Sequence, residues 1–161
     1  MSSCDRRTLL LGLFALPACG FEPVYGTGGA AEGLYDQIRF DAPNDANSFI
    51  LRKQLEDRLG RGASAQFAMN VSLRLRTESL AITSEQLINR FNVIGTATYQ
   101  IRRLSTDVVV DQGSVKNFTG YSASGTTVAT SSARDDAFER LTRSLADQLV
   151  SQIFATSGGW L

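Results

Sequence analysis

The chain is poor in the groups that usually carry chemistry. Its 161 residues include two Cys and no His. A Ser-His-Asp triad, a Cys-His dyad, an imidazole zinc site and an imidazole pH switch are therefore excluded. Two Cys cannot complete a Cys₄ zinc site. Ser131 and Ser132 have no His or Lys nearby to act as a base. Asp135 and Asp136 are adjacent, so on a helix their side chains diverge by about 100° and cannot converge on a metal or substrate. Their plain role is to place negative charge at a helix start. Gly26-Thr27-Gly28-Gly29 follows no strand and precedes no Gly-Lys-Ser/Thr, so it is not a phosphate loop. With 16 basic and 16 acidic residues, the chain lacks the basic excess of a nucleic-acid binder. Neither an enzyme nor a metal or cofactor protein is expected.

Cys19 is the exception. Arg6 and Arg7 precede the apolar run 8–16, which is shorter than the roughly 20 residues a membrane-spanning helix needs. Basic residues, a short apolar run and then small residues make a targeting signal. Two readings fit: a plain secretory signal with a Cys nearby, or a lipoprotein signal in which Cys19 is acylated and becomes the first mature residue. Leu16-Pro17-Ala18-Cys19 resembles the Leu-x-small-Cys lipobox, with Pro17 in place of the usual small residue, and favours the second. Arg6-Arg7 leaves twin-arginine export open beside the general route. Cleavage before Cys19 removes Asp5, Arg6 and Arg7, leaving 143 residues with 14 basic and 15 acidic side chains. Each lipid CH₂ buried in a bilayer contributes about 0.8 kcal/mol, so a multiply acylated Cys19 anchors stably. An acylated Cys19 leaves no thiol for a disulfide, and the domain must fold without one. The sequon pattern Asn117-Phe118-Thr119 is irrelevant behind a bacterial lipoprotein signal.

The elements that would position any site follow from periodicity. Residues 19–33 are rich in Gly and read as a lipidated tether. Leu34 to Phe40 is a short strand, and Asp41-Ala42-Pro43-Asn44-Asp45 a turn. Leu51, Leu55 and Leu59 form one stripe of a helix over Ser48 to Gly60, capped by Asn47 or Ser48. Phe67, Met69, Val71, Leu73 and Leu75 alternate with polar residues in a strand over Gln66 to Arg76. Glu78 to Asn89 is ambiguous between more strand and a turn at Thr83-Ser84-Glu85-Gln86. Phe91 to Arg103 and Val108 to Tyr121 are two further long strands. Gly95 marks a bulge or a close approach, and Asp111-Gln112-Gly113 a bulge or kink. A Ser/Thr/Gly loop over residues 122–131 precedes a helix starting near Ser132, with the stripe Phe138, Leu141, Leu145, Leu149 and Ile153. Residues 157–161 form a tail. Short turns make antiparallel neighbours, and both helices need the sheet's one apolar face. The expected fold is α+β: a two-layer sandwich with a mostly antiparallel four-stranded sheet and two helices packed on one face.

Cys19-Gly20-Phe21-Glu22-Pro23-Val24-Tyr25-Gly26 resembles the Cys-Gly-Phe-x-Pro-Leu-Tyr-Gly opening of the LptE family of lipopolysaccharide-assembly lipoproteins, particularly its alphaproteobacterial branch. Val71-Ser72-Leu73-Arg74-Leu75, Thr96-Ala97-Thr98-Tyr99-Gln100-Ile101, Gly113-Ser114-Val115, the loop led by Tyr121 and the helix Ala133 to Ile153 follow in the family's order. The resemblance implies a signal peptide over 1–18, a tether over 19–33, an LptE-like domain over 34–156 and a tail over 157–161. It further implies a non-enzymatic lipoprotein on the periplasmic face of the outer membrane, seated as a plug in the LptD β-barrel. Such a protein assists barrel assembly and lipopolysaccharide delivery, and binds lipopolysaccharide directly.

Arg suits lipopolysaccharide phosphates because its planar fork donates paired, charge-assisted bonds. On the resemblance, the candidate lipopolysaccharide-binding residues are Arg90, Arg102, Arg103 and Lys116, Arg90 foremost; each would otherwise be a solvated surface charge. Ser72, Asn92, Thr96, Thr98 and Gln100 could face a polar barrel lumen, or simply water. The competing reading is a periplasmic lipoprotein subunit of an inner-membrane lipid-transport complex. A hydrolase would need two converging carboxylates, and the sequence offers no such pair.

Overall fold

The computed structural model describes Gly26 and residues 29–42, 45–82, 88–123 and 126–161. The expected signal peptide, Cys19 and the tether through Tyr25 lie outside the described residues, as does the expected turn over 83–86. The elements run α1 (Ala30–Leu34), β1 (Ile38–Phe40), α2 (Ala46–Leu59), β2 (Phe67–Ile82), β3 (Ile88–Arg103), β4 (Val109–Ser122) and α3 (Thr127–Ser157). The fold is the expected α+β sandwich, with the four strands in the order β1-β2-β3-β4. β2, β3 and β4 pair antiparallel, and β1 pairs parallel to β2. The parallel step arises because α2 carries the chain back before β2 begins; parallel neighbours require such a crossover.

Odd-numbered residues of the long strands point at the helices. Phe67, Met69, Val93, Ala97, Tyr99 and Ile101 meet Leu51, Leu55 and Leu59 of α2 and Ala137, Leu141, Leu145, Leu149 and Ile153 of α3 in one buried cluster. Gly95 is the expected close approach: a Cβ there would lie 2.6 Å from Leu145 Cδ1, so α3 rests directly on the backbone of β3. The register slips between Ile101 and Arg102, where Asp111 and Val109 are their respective partners on β4. Val110 is the extra residue, so the irregularity expected at Asp111-Gln112-Gly113 begins one position earlier.

Several local expectations moved. The first turn of α2 is capped by Asp45, whose Oδ1 accepts from Ser48 N at 2.8 Å, rather than by Asn47 or Ser48. α3 starts five residues before Ser132, with Thr126 as its cap: its Oγ1 accepts from Ala129 N at 3.3 Å. β2 continues through the ambiguous segment to Ile82. A five-residue helix, α1, closes the expected tether and leads into β1. The expected tail is packed: Trp160 sits edge-on to Phe67 with centroids 5.0 Å apart. Among the described residues no helix is long and apolar enough to cross a membrane.

Candidate functional site: the uncovered sheet face

Even-numbered residues of β2, β3 and β4 form the other face, which no helix among the described residues covers. Register fixes its rows. Asn70, Gln100 and Gln112 lie side by side, followed by Ser72, Thr98 and Ser114. The next row is Arg74, Thr96 and Lys116, then Arg76, Ile94 and Phe118, then Glu78, Asn92 and Gly120. Arg90 pairs with Ser122 at the far end. All five residues expected to meet a lumen or water (Ser72, Asn92, Thr96, Thr98 and Gln100) fall on this face.

The face has two halves. The proximal half, toward the Phe67 end of β2, has two uncharged polar rows. Asn70, Thr98, Gln100, Gln112 and Ser114 contribute to a shallow depression of about 560 Å³ there. The distal half mixes cations with apolar side chains. Phe118 is 67% exposed, far from the burial an aromatic ring normally seeks. With Ile94, Asn92, Asn117 and Lys116 it lines a second shallow depression of about 330 Å³. Arg76 donates to Glu78 at 3.0 Å. Arg74 and Lys116 have no carboxylate partner among the described residues.

The four residues put forward from the sequence do not converge. Arg90 and Arg102 occupy opposite ends of β3, twelve residues or about 40 Å apart at strand rise. Arg102 pairs with Asp107 at 3.7 Å. Arg103 belongs to the odd series and turns toward the helices. Its Nη2 donates to Trp160 O at 2.7 Å, and its guanidinium lies 4.9 Å from the centre of the Phe67 ring. That geometry ties the chain's last residues to the base of the sheet. Lys116 joins the cationic–apolar half beside Arg74 and Arg76, and Arg90 lies at that half's far end, beyond the Asn92 row. Arg74 and Arg76 were missed because cross-strand register, which brings them beside Lys116, is not written in any one segment. Their even positions on β2 were the available signal.

On the covered face one polar cluster has an evident structural role. Asp111 Oδ2 accepts from Tyr99 Oη at 3.0 Å and from Thr156 Oγ1 at 2.7 Å, joining β3, β4 and the end of α3. Burial, reinforced by the hydrogen bond to Asp111, pushes the Tyr99 phenol up to about 12. A hydroxyl held neutral in this way is a fastener and no acid catalyst near neutral pH. Among the described residues, no group of three or more His, Cys, Asp or Glu side chains is placed to hold a metal ion.

Comparison with known proteins agrees with this architecture. A family model described as LptE, lipopolysaccharide-assembly, matches residues 35–153. No curated protein matches the sequence. A crystal structure of a lipoprotein candidate from Caulobacter crescentus CB15 superposes with a TM-score of 0.68 at 21% identity, covering 83% of this chain and 99% of that one. A minor lipoprotein from Acinetobacter baumannii gives 0.60 at 18% identity, covering 76% and 95%. The rare lipoprotein B from Shewanella oneidensis gives 0.59 at 10% identity, covering 75% and 94%. At these identities the structural likeness speaks to fold.

Proposed function

The chain belongs to the LptE lipopolysaccharide-assembly family, and from that membership we propose that it is an outer-membrane lipoprotein, anchored through Cys19 on the periplasmic face, that plugs the LptD β-barrel. In this role it assists barrel assembly and the delivery of lipopolysaccharide to the outer leaflet, binding lipopolysaccharide directly and catalysing nothing. The family assignment accounts for involvement in lipopolysaccharide assembly; the plug, the direct binding and the location are our reading.

The observation that carries this reading is the asymmetry of the sheet. One face is closed by α2 and α3, whereas the other presents Asn70, Ser72, Thr98, Gln100, Gln112 and Ser114 with no covering element among the described residues. Barrel interiors are polar. A flat face of hydroxyls and amides can exchange hydrogen bonds with such a wall without burying an unpaired charge, the costliest error at an interface. Lipid anchoring at Cys19 would hold the domain at the membrane surface where a barrel is assembled.

Purification of the tagged, full-length chain from membranes tests the reading. Recovery of an LptD-like barrel supports it. Recovery of an inner-membrane ATPase complex without a barrel would overturn it in favour of a lipid-transport subunit. Depletion should leave the barrel poorly assembled and lipopolysaccharide misplaced.

A further inference from the structure

We propose that the free edge of β2 pairs with a strand of the barrel partner before that barrel closes, adding it to the sheet in the lane that β1 leaves empty. The inference rests on the barrel-assembly role proposed above and gives that role a surface separate from the two sheet faces. β1 ends at Phe40, opposite Met69, and the chain turns away into α2. β2 runs on, in unbroken register with β3 as far as Ser79. In a strand, the N–H and C=O of one residue point to the same side, and that side alternates along the chain. Phe67 N donates to Gln37 O at 3.0 Å, and Met69 O accepts from Asp41 N at 3.1 Å, so the odd residues of β2 address β1. The backbone groups of Val71, Leu73, Leu75 and Thr77 therefore point into the empty lane, and none has a hydrogen-bond partner among the described residues. Such a row is a template for one more strand. The opposite edge, β4, is interrupted by the extra residue Val110 and carries Gly113 and Gly120, features that weaken an edge.

The lane dictates what fills it. Beside Val71 and Leu73 it opens as a groove of about 310 Å³, walled on the far side by Leu51, Arg52 and Leu55 of α2. Val71, Leu73 and Leu75 are half-buried on the covered side, whereas Ser72 and Arg74 stand on the uncovered side. A strand in the lane takes the same alternation, with apolar residues toward α2 and polar residues level with Ser72 and Arg74. Alternate apolar and polar residues are the pattern of a membrane-barrel strand. A closed barrel has no free backbone edge to offer; the same strand before closure does. Charge narrows the choice further. Asp41 and Asp45 line one end of the groove and Arg74 stands farther along β2, none of them in an ion pair among the described residues. A strand with a basic residue at the Asp41 end and an acidic one beside Arg74 gains a cross-strand pair at each. A second copy of this chain would instead bring its own Arg74 and Arg76 alongside these.

The test follows newly made barrel protein by pulse-chase in cells producing the full-length chain with a photo-cross-linking residue at position 77, where the side chain is exposed. A cross-link to the barrel chain should form early in the chase and disappear as the barrel closes. Thr77→Pro deletes one N–H of the free edge without touching the β2–β3 ladder, and should slow barrel assembly at least about threefold, the worth of one hydrogen bond. Leu73→Lys, which points a charge into the groove, should slow it as well. Thr77→Val keeps the N–H and should match wild type. Thermal midpoints separate pairing from folding, and the cross-link decides should either slow variant prove less stable. Wild-type assembly rates in both variants with no early cross-link would overturn edge pairing while leaving the barrel contact of the uncovered face intact. Cross-links confined to the finished barrel, or to a second copy of this chain, would also overturn it. Failure of wild type to recover any barrel would overturn the plug reading along with it.

Discussion

The two faces of one sheet, built from alternating residues of the same three strands, differ in almost everything. On the odd face Val93, Ala97, Tyr99 and Ile101 are nearly or wholly inaccessible and locked against α3 and α2. On the even face their immediate neighbours Asn92, Ile94, Thr96, Thr98, Gln100 and Arg102 meet no helix among the described residues. A period of two residues lets a chain optimise stability and recognition independently, because a substitution on one face leaves the other face's contacts in place. Stability should therefore be carried by odd positions and partner binding by even ones.

Substitutions on the covered face should have the largest effects. Leu145→Ala should cost about 2–5 kcal/mol in denaturant unfolding, since Leu145 is fully buried and rests on Gly95. Next in size is Asp111→Ala, which leaves the buried Tyr99 hydroxyl without its acceptor and should cost about 1–3 kcal/mol. Tyr99 also gives a pH signature. Its phenol titrates at about 12 in the fold against 10.0 in an unperturbed chain. A raised folded value means that the stabilisation is complete below about pH 10 and is lost as pH climbs toward 12. Chemical denaturation of wild type across that window should show the loss, and Tyr99→Phe should flatten it.

A smaller effect tests the boundary between the faces. Arg103→Ala should lower stability by about 1 kcal/mol through loss of the Trp160 and Phe67 contacts, with lipopolysaccharide affinity unchanged. A large fall in affinity without destabilisation would return Arg103 to the binding surface. Smallest of all, Ser72→Ala and Thr98→Ala should shift unfolding by less than about 0.5 kcal/mol, because both side chains are exposed and none of their contacts supports the core.

Much of this division is legible in the sequence. The alternation from Phe67 to Leu75 and from Phe91 to Ile101 assigns each residue to a face, and the four-residue recurrence of Leu141, Leu145 and Leu149 finds the covering helix. What escaped has physical causes. One turn of helix, as in α1, has no periodicity to detect. Three of the four residues of Thr127-Val128-Ala129-Thr130 are β-branched and weak in helix propensity, so the early start of α3 depends on the Thr126 cap and on continuity with the strong helix that follows. The distal surface was hidden because Arg74, Ile94 and Phe118 come from three strands, and only their register makes them neighbours. Arg103 was readable in part: it shares its parity with Ile101, which already pointed it inward.

The central claim is that the uncovered face engages the barrel. Thr98→Glu places an unpaired charge in the middle of its uncharged half while touching nothing in the core. Tagged wild type and Thr98→Glu should be purified from membranes side by side, with thermal midpoints measured on both. The account predicts that wild type brings a large outer-membrane β-barrel with it and that Thr98→Glu, equally stable, loses most of that partner. A Thr98→Glu chain that recovers the barrel in wild-type amount would contradict it.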